Sequence, residues 1–273
     1  ELQVRSPRRR RALHTARICH DFARSPAVQT TRGIQCSKPE QSHNGASMTP
    51  CLEPDQIPAS WDGHVEAYEA IFEPFTLALS APALNSMAEA GAGLVLDVCA
   101  GPGAAALELA RRGAVVTACD ASPAMVARIS HRAAMAGLAI DAHVMDAAHL
   151  EYPDGAFDAA MSAFGIVLLV DAVGALAEMR RVVRRGGRVA VVTWTEPQSY
   201  ELAAALSAAM DQVWPDRPRP PLPAQLRYRE RETLSALFTD AGLPPPHIEL
   251  VESCVHAPSA RWLAENLAFA PGM

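Results

Sequence analysis

Three acids stand at or near the ends of three short apolar runs. Asp97 lies within Leu94–Val98, Asp120 follows Val115–Cys119, and Asp146 follows Ile140–Val144. Between the first two acids runs Cys99-Ala100-Gly101-Pro102-Gly103. Carboxylates spaced this way can accept from hydroxyl or amino groups, or balance a cation. Gly101 and Gly103 let a backbone approach a ligand closely and take positive φ. A helix opening after Gly103 offers unpaired N–H groups to an anionic ligand group. One glycine turn is a common feature, so the weight rests on the set.

The elements that must position these residues alternate. Leu94–Val98, Val115–Cys119, Ile140–Val144 and Phe157–Ala163 read as strands, and Arg188–Trp194 as a fifth. Helices are expected over Gly103–Arg112, from Pro123 to a stop at Gly137, and over Asp171–Arg185. Ser122 is the expected cap of the second of these helices. Arg184 and Arg185 fall in the last turn of the third, before Gly186-Gly187. Strands separated by helices of this length imply a mostly parallel sheet, doubly wound and Rossmann-like in its α/β class. Beyond it, Tyr200–Trp214 and Glu230–Ala241 read as helices and Ile248–Ser253 as an edge strand. The prolines between 215 and 223 read as a loop, and Pro258–Ala268 as a last helix. Upstream, Trp61, Val65, Tyr68 and Phe72 share a helical face, interrupted or kinked at Pro74.

Two ligands compete for the glycine turn. Gly101-x-Gly103-x-x-Ala106 satisfies the dinucleotide pattern, with Asp120 nineteen residues after Gly101. S-adenosylmethionine (SAM) needs a ribose-binding acid at the same place. Asp97 separates them: a carboxylate there repels a pyrophosphate and favours the ammonium and sulfonium of SAM. Asp146-Ala147 adds an acceptor for an adenine amino group. The chain holds a single lysine, Lys38, so a Tyr-x-x-x-Lys hydride-transfer couple cannot form in the body.

Four ordered stretches carry a resemblance: LVLDVCAGPGAAALELA (94–110), VTACDASPAMVARI (116–129), HVMDAAHLEYPDGAFDAAMSAFGIVLLVD (143–171) and ALAEMRRVVRRGGRVAVVTW (175–194). The sequence resembles class I SAM-dependent methyltransferases, above all the ubiquinone/menaquinone-biosynthesis group. The resemblance implies that Asp97 and the turn Cys99, Ala100, Gly101 and Gly103 hold the methionine end of SAM. It implies Asp120, beside Ala121, on the ribose hydroxyls and Met125 on the adenine face. Asp146 would accept from the adenine amino group near the Ala147 N–H. Phe164 would floor the acceptor site, with Trp61 and Tyr68 on an N-terminal lid. His64 and Tyr68 are candidates for a base, but no catalytic residue is assigned. Cys99 departs from the family by standing where a first glycine is usual, and a final antiparallel strand is missing. Either the sheet is one strand short or the chain is a fragment.

Composition bounds the rest. The chain has 273 residues, 49% hydrophobic and 20% charged, with a net charge of −6. Residues 1–47 carry nine basic and three acidic residues, +6, which leaves 15 basic and 27 acidic, −12, for 48–273. An acidic body is a poor polyanion binder, so nucleic acid is not an expected partner. No apolar run is long enough for a membrane span. The six cysteines show no metal-ligand spacing and read as free thiols. The tail 1–47 reads as disordered, as a targeting segment or as a spurious extension, with a nucleic-acid-binding arm a further reading. It precedes a methyltransferase domain over 48–273, with a lid at 58–90 and a core at 91–254. The expected reaction is methyl transfer to a small-molecule acceptor through O, C or N. The alternatives are a non-catalytic binding protein of the same fold and an NAD-dependent oxidoreductase. The compartment is cytoplasmic, or organellar if the tail is a transit peptide. Oligomeric state is not legible.

Overall fold

Strands that are apolar on both faces need helices on both sides, and the chain builds that arrangement. The computed structural model describes residues 52–89, 91, 93–195, 201–216, 223–252, 259 and 261. The strands are β1 (Leu94–Val98), β2 (Val115–Asp120), β3 (Ile140–Val144), β4 (Phe157–Ala163) and β5 (Val183–Val192). They form one sheet in the order β3-β2-β1-β4-β5, every pair parallel. The strand order reverses between β1 and β4, where an open α/β sheet leaves a ligand crevice at the carboxyl ends.

Nine α-helices are present among the described residues. Four precede the sheet: α1 (Pro58–Asp62), α2 (Val65–Ile71), α3 (Glu73–Leu79) and α4 (Ala81–Glu89). Then come α5 (Ala104–Arg111), α6 (Pro123–Ala136), α7 (Ala172–Val182), α8 (Glu201–Val213) and α9 (Arg231–Asp240). Side chains on β1 alternate between faces. Leu96 and Val98 join a buried cluster with Leu176 and Met179 of α7 and Phe238 of α9. Val95 joins the opposite cluster, with Leu84 of α4, Leu109 of α5 and Ile129 of α6. Asp97 therefore shares the face of α4–α6.

Local chemistry sets the helix ends. Ser122 accepts from the Met125 amide at 3.2 Å, Pro123 occupies the first turn, and Gly137 closes α6 at φ 65°. Asp171 caps α7 through the Gly174 amide at 2.8 Å.

Three expectations need correction. The segment 61–79, expected to be interrupted or kinked at Pro74, is instead broken at Gly63-His64 and at Phe72, so that it spans parts of three short helices. Pro74 sits in the first turn of α3, where its missing N–H costs little. Helix α7 stops at Val182, and Arg184 and Arg185 belong to β5. Val183 pairs with Phe157 and Arg188 with Ala159, so Arg184–Gly187 bulge out, with Gly186 at φ 77°. The glycine pair expected to end a helix is therefore the flexible part of a bulge. Arg184 donates to Asp158 at 2.6 Å instead of facing a helix dipole. Residues 248–252 carry no strand. Ser253, most of the expected helix 258–268, residues 217–222 of the proline-rich loop and the whole 1–47 tail lie outside the described residues. No helix among the described residues is long and apolar enough to cross a membrane.

Candidate functional site

Asp97 closes β1 on the lid-facing side, 1% exposed, with neither carboxylate oxygen hydrogen-bonded. Buried polar groups are rarely left this way. Burial pushes its pKa up to about 7. The Ala106 amide opposes that rise without completing a hydrogen bond, and the charge of Asp120 reinforces it. The carboxylate faces a narrow cavity of about 40 Å³. The glycine turn forms one wall and Tyr68, Thr76 and Ser80 of the N-terminal helices form another.

The turn between β1 and α5 is shaped by positive φ. Gly101 has φ 55° and Gly103 φ 88°. A Cβ on Gly103 would meet Ile129 of α6 at 2.9 Å, so its bareness lets α5 and α6 pack. Cys99 takes φ 56° although it carries a side chain, and Phe164, after β4, takes φ 62°. Burial raises the Cys99 thiol well above its ordinary value, with Asp120 adding to the rise. It is therefore a packing group, not a thiolate nucleophile.

Asp120 ends β2 and points back to the turn. One oxygen accepts from the Gly101 amide at 2.8 Å and the other from the Ser122 amide at 2.9 Å. Both oxygens keep further acceptor sites. Burial raises its pKa, against the pull of those amides. Met125 is buried in the first turn of α6, one turn beyond Ala121. Asp146 follows β3 on an exposed loop, and its charge adds to the rise of the Cys99 thiol. It accepts from the Ala148 amide at 2.9 Å, with His149 at 3.4 Å, while Ala147 beside it is buried.

The lid and the far end of the sheet are joined by rings. Trp61 lies edge-on to Tyr68 at 6.0 Å, and Tyr68 stacks on Phe72 at 5.7 Å. Phe72 meets Phe75, Phe75 meets Trp194 at 5.9 Å, and Trp194 meets Phe164 at 4.4 Å. Burial pushes the Tyr68 hydroxyl up to about 12. It stays protonated at neutral pH. His64 caps α2 without a side-chain cap bond, its Nδ1 against the Ser60 carbonyl at 2.5 Å.

The sequence-expected residues Tyr68, Asp97, Cys99, Ala100 and Gly101 thus surround one cavity, with Asp120 bonded to its rim. Trp61, Asp146 and Phe164 lie outside its lining. Sequence reasoning missed the residues that seat the lid. Asp62 accepts from the Ser122 hydroxyl at 2.5 Å, Glu69 pairs with Arg128 at 2.6 Å, and Glu73 pairs with Arg132 at 2.5 Å. Glu69/Glu73 and Arg128/Arg132 are each spaced i,i+4, a signal of two facing charge rows.

Comparison with known proteins places this geometry. Residues 95–187 match the family model described as a methyltransferase domain. An uncharacterized protein of Mycobacterium tuberculosis is 33% identical over 148 residues, 54% of this chain and 52% of that protein. A demethylmenaquinone methyltransferase of Thermus thermophilus is 40% identical over 105 residues, 38% of this chain and 48% of that protein. The chain spans about half the length of the curated relatives it matches. A solved SAM-dependent methyltransferase of Aquifex aeolicus aligns with 20% identity and TM-score 0.42, over 55% of this chain and 71% of that one. The four stretches read in the sequence fall within or across the ends of the span that matches a methyltransferase domain.

Proposed function

We propose that this methyltransferase domain moves the methyl group of SAM to a small-molecule acceptor bound between the lid and the carboxyl end of β4. The observation that carries the reading is Asp97, a buried carboxylate without a partner, facing a cavity beside the glycine turn. A cationic ligand group is what such a carboxylate lacks. A dinucleotide pyrophosphate would meet like charge there, which disfavours the oxidoreductase alternative.

SAM supplies a methyl group on a positively charged sulfur. Asp97 holds the ammonium of the donor, and Asp120 accepts from the two ribose hydroxyls with the lone pairs its amide bonds leave free. Met125 packs on the adenine, with Asp146 and the Ala147 N–H at its rim. When bound, SAM would supply the methyl group from its sulfonium: the acceptor would displace the sulfur as a neutral thioether and give up its proton to solvent. The protein contributes alignment and exclusion of water, the roles of the glycine turn and of the lid formed by α1–α4. Phe164 and Trp194 give the acceptor an apolar wall. A quinol-type ring is the acceptor class to test first, as the Thermus thermophilus relative is named a demethylmenaquinone methyltransferase. The catalytic unit spans 48–273.

Titration calorimetry with SAM tests the donor, and transfer of labelled methyl to phenols, quinols, amines and thiols tests the acceptor. Binding of SAM with transfer to one of these classes is expected. A folded protein that binds no SAM overturns the reading.

A further inference from the structure

Arg132 occupies a junction that donor chemistry alone does not require. It lies on α6, half-buried, far along the helix from the caps at its start. Its Nη1 and Nη2 donate to the two oxygens of Glu73 at 2.6 and 2.5 Å, a bidentate pair with the lid helix α3. The same Nη1 donates to the Pro102 carbonyl at 2.8 Å, inside the glycine turn. Its Nε adds Glu69 of α2 at 3.5 Å. One planar guanidinium therefore holds lid and turn in fixed relation, which a flexible ammonium cannot do in the same geometry.

Glu73 is 8% exposed and Arg132 has 19% of its side chain exposed, so the pair is shielded from solvent screening. Removing one partner would leave the other charge half-buried without compensation. Pro102 stands between Gly101 and Gly103, the two positions that set the shape of the turn.

We propose that Arg132 is a positioning residue: by bonding Glu73 and the Pro102 carbonyl together, it makes the donor-holding shape of the glycine turn depend on the seated lid. The proposal rests on the donor reading given above. Neither Glu73 nor Arg132 lines the cavity beside Asp97. Their effect on the donor therefore passes through the turn.

The test is calorimetry with SAM on the full chain and on Glu73→Gln, Arg132→Met, Arg132→Lys and the Glu73→Gln/Arg132→Met pair. All are measured well below their melting temperatures, so a purely structural loss leaves the affinity of folded protein unchanged. Glu73→Gln and Arg132→Met are each expected to weaken SAM binding about tenfold, within the usual range of coupling between sites. The pair is expected to be no weaker than Arg132→Met alone, because both changes break one linkage. Arg132→Lys keeps the charge but not the fork, and is expected to rescue only part of the loss. Wild-type affinity in the folded single variants, or losses that simply add, would overturn the role of Arg132. If Arg132→Met does not fold, Glu73→Gln and Arg132→Lys carry the same comparison. Absence of SAM binding by the unaltered protein would overturn the donor reading itself, and this proposal with it.

Discussion

The side chain of Cys99 fills the space that a Cβ on Gly165 would need. The loop after β1 and the loop after β4 thus touch through a residue that must be bare. Cys99 in turn holds a left-handed backbone that glycine adopts more readily.

Gly165→Ala should destabilise the protein by about 2 kcal/mol through overpacking. Cys99→Gly should change stability by about 1 kcal/mol or less, since relief of strain is offset by entropy gained in the unfolded chain. The double variant should recover part of the Gly165→Ala loss, as the backbone of residue 99, its carbonyl at 3.0 Å and its Cα at 3.5 Å, then faces the new methyl without the Cβ. Urea melts of the four proteins check this, and strictly additive losses would contradict the contact.

Asp97 makes stability and donor binding respond to pH in opposite directions. Its pKa in the folded chain is about 7, against an ordinary value of 3.8. Between these values the native state holds the proton and the unfolded state does not, so stability falls as pH rises from about 4 to about 7. A cationic ligand needs the carboxylate charged, so SAM affinity should rise with pH up to about 7 and level off above. Asp97→Asn should flatten both curves. Thermal melts and calorimetry from pH 5 to 8.5 provide the comparison.

Asp120→Ala should weaken SAM by at least about tenfold, since a charged acceptor is lost from two hydroxyls. It also frees the Gly101 and Ser122 amides. The SAM-free variant should therefore exchange its amide hydrogens faster at 100–103 than the parent. Unchanged exchange there would mean that Asp120 does not hold the turn.

Asp55 is 4% exposed, and neither of its side-chain oxygens has a partner. Burial raises its pKa and the charge of Glu53 adds to the rise, against the pull of the Asp55 and Gln56 amides, neither of which completes a hydrogen bond to the carboxylate. Its charged form is therefore unfavourable in the folded chain, and the penalty is complete once the pH exceeds the raised pKa. Asp55→Asn should raise the melting temperature at pH 8 and change it less at pH 5. A loss at pH 8 would show a partner for the carboxylate.

The strands β1, β3 and β4 were legible to the residue, β1 and β4 as mainly apolar runs and β3 as the alternating Ile140-Asp141-Ala142-His143-Val144. Strand β5 was not. Val182 and Val183 continue the apolar face of α7 in the helical pattern, and Gly186-Gly187 matches a helix stop as well as a bulge. Only pairing of Val183 with Phe157 decides between them. In the site, Asp97 and Asp120 were readable from their places at strand ends. That Asp97 lacks a partner is a property of packing and leaves no mark in the sequence. The lid contacts join residues about sixty positions apart, and their i,i+4 charge rows mark two surfaces without saying that they meet.

The row of rings from Trp61 to Phe164 also gives the protein an intrinsic optical reporter. Trp61 stands at the outer end and Trp194 near the inner one, and each indole emits according to its neighbours. Trp214, 55% exposed, contributes a solvent-like background, and Trp262, outside the described residues, is replaced by Phe for the measurement. Shifts in emission colour on adding a ligand would therefore separate movement of the outer helices from events at the wall beside β4, without any attached dye.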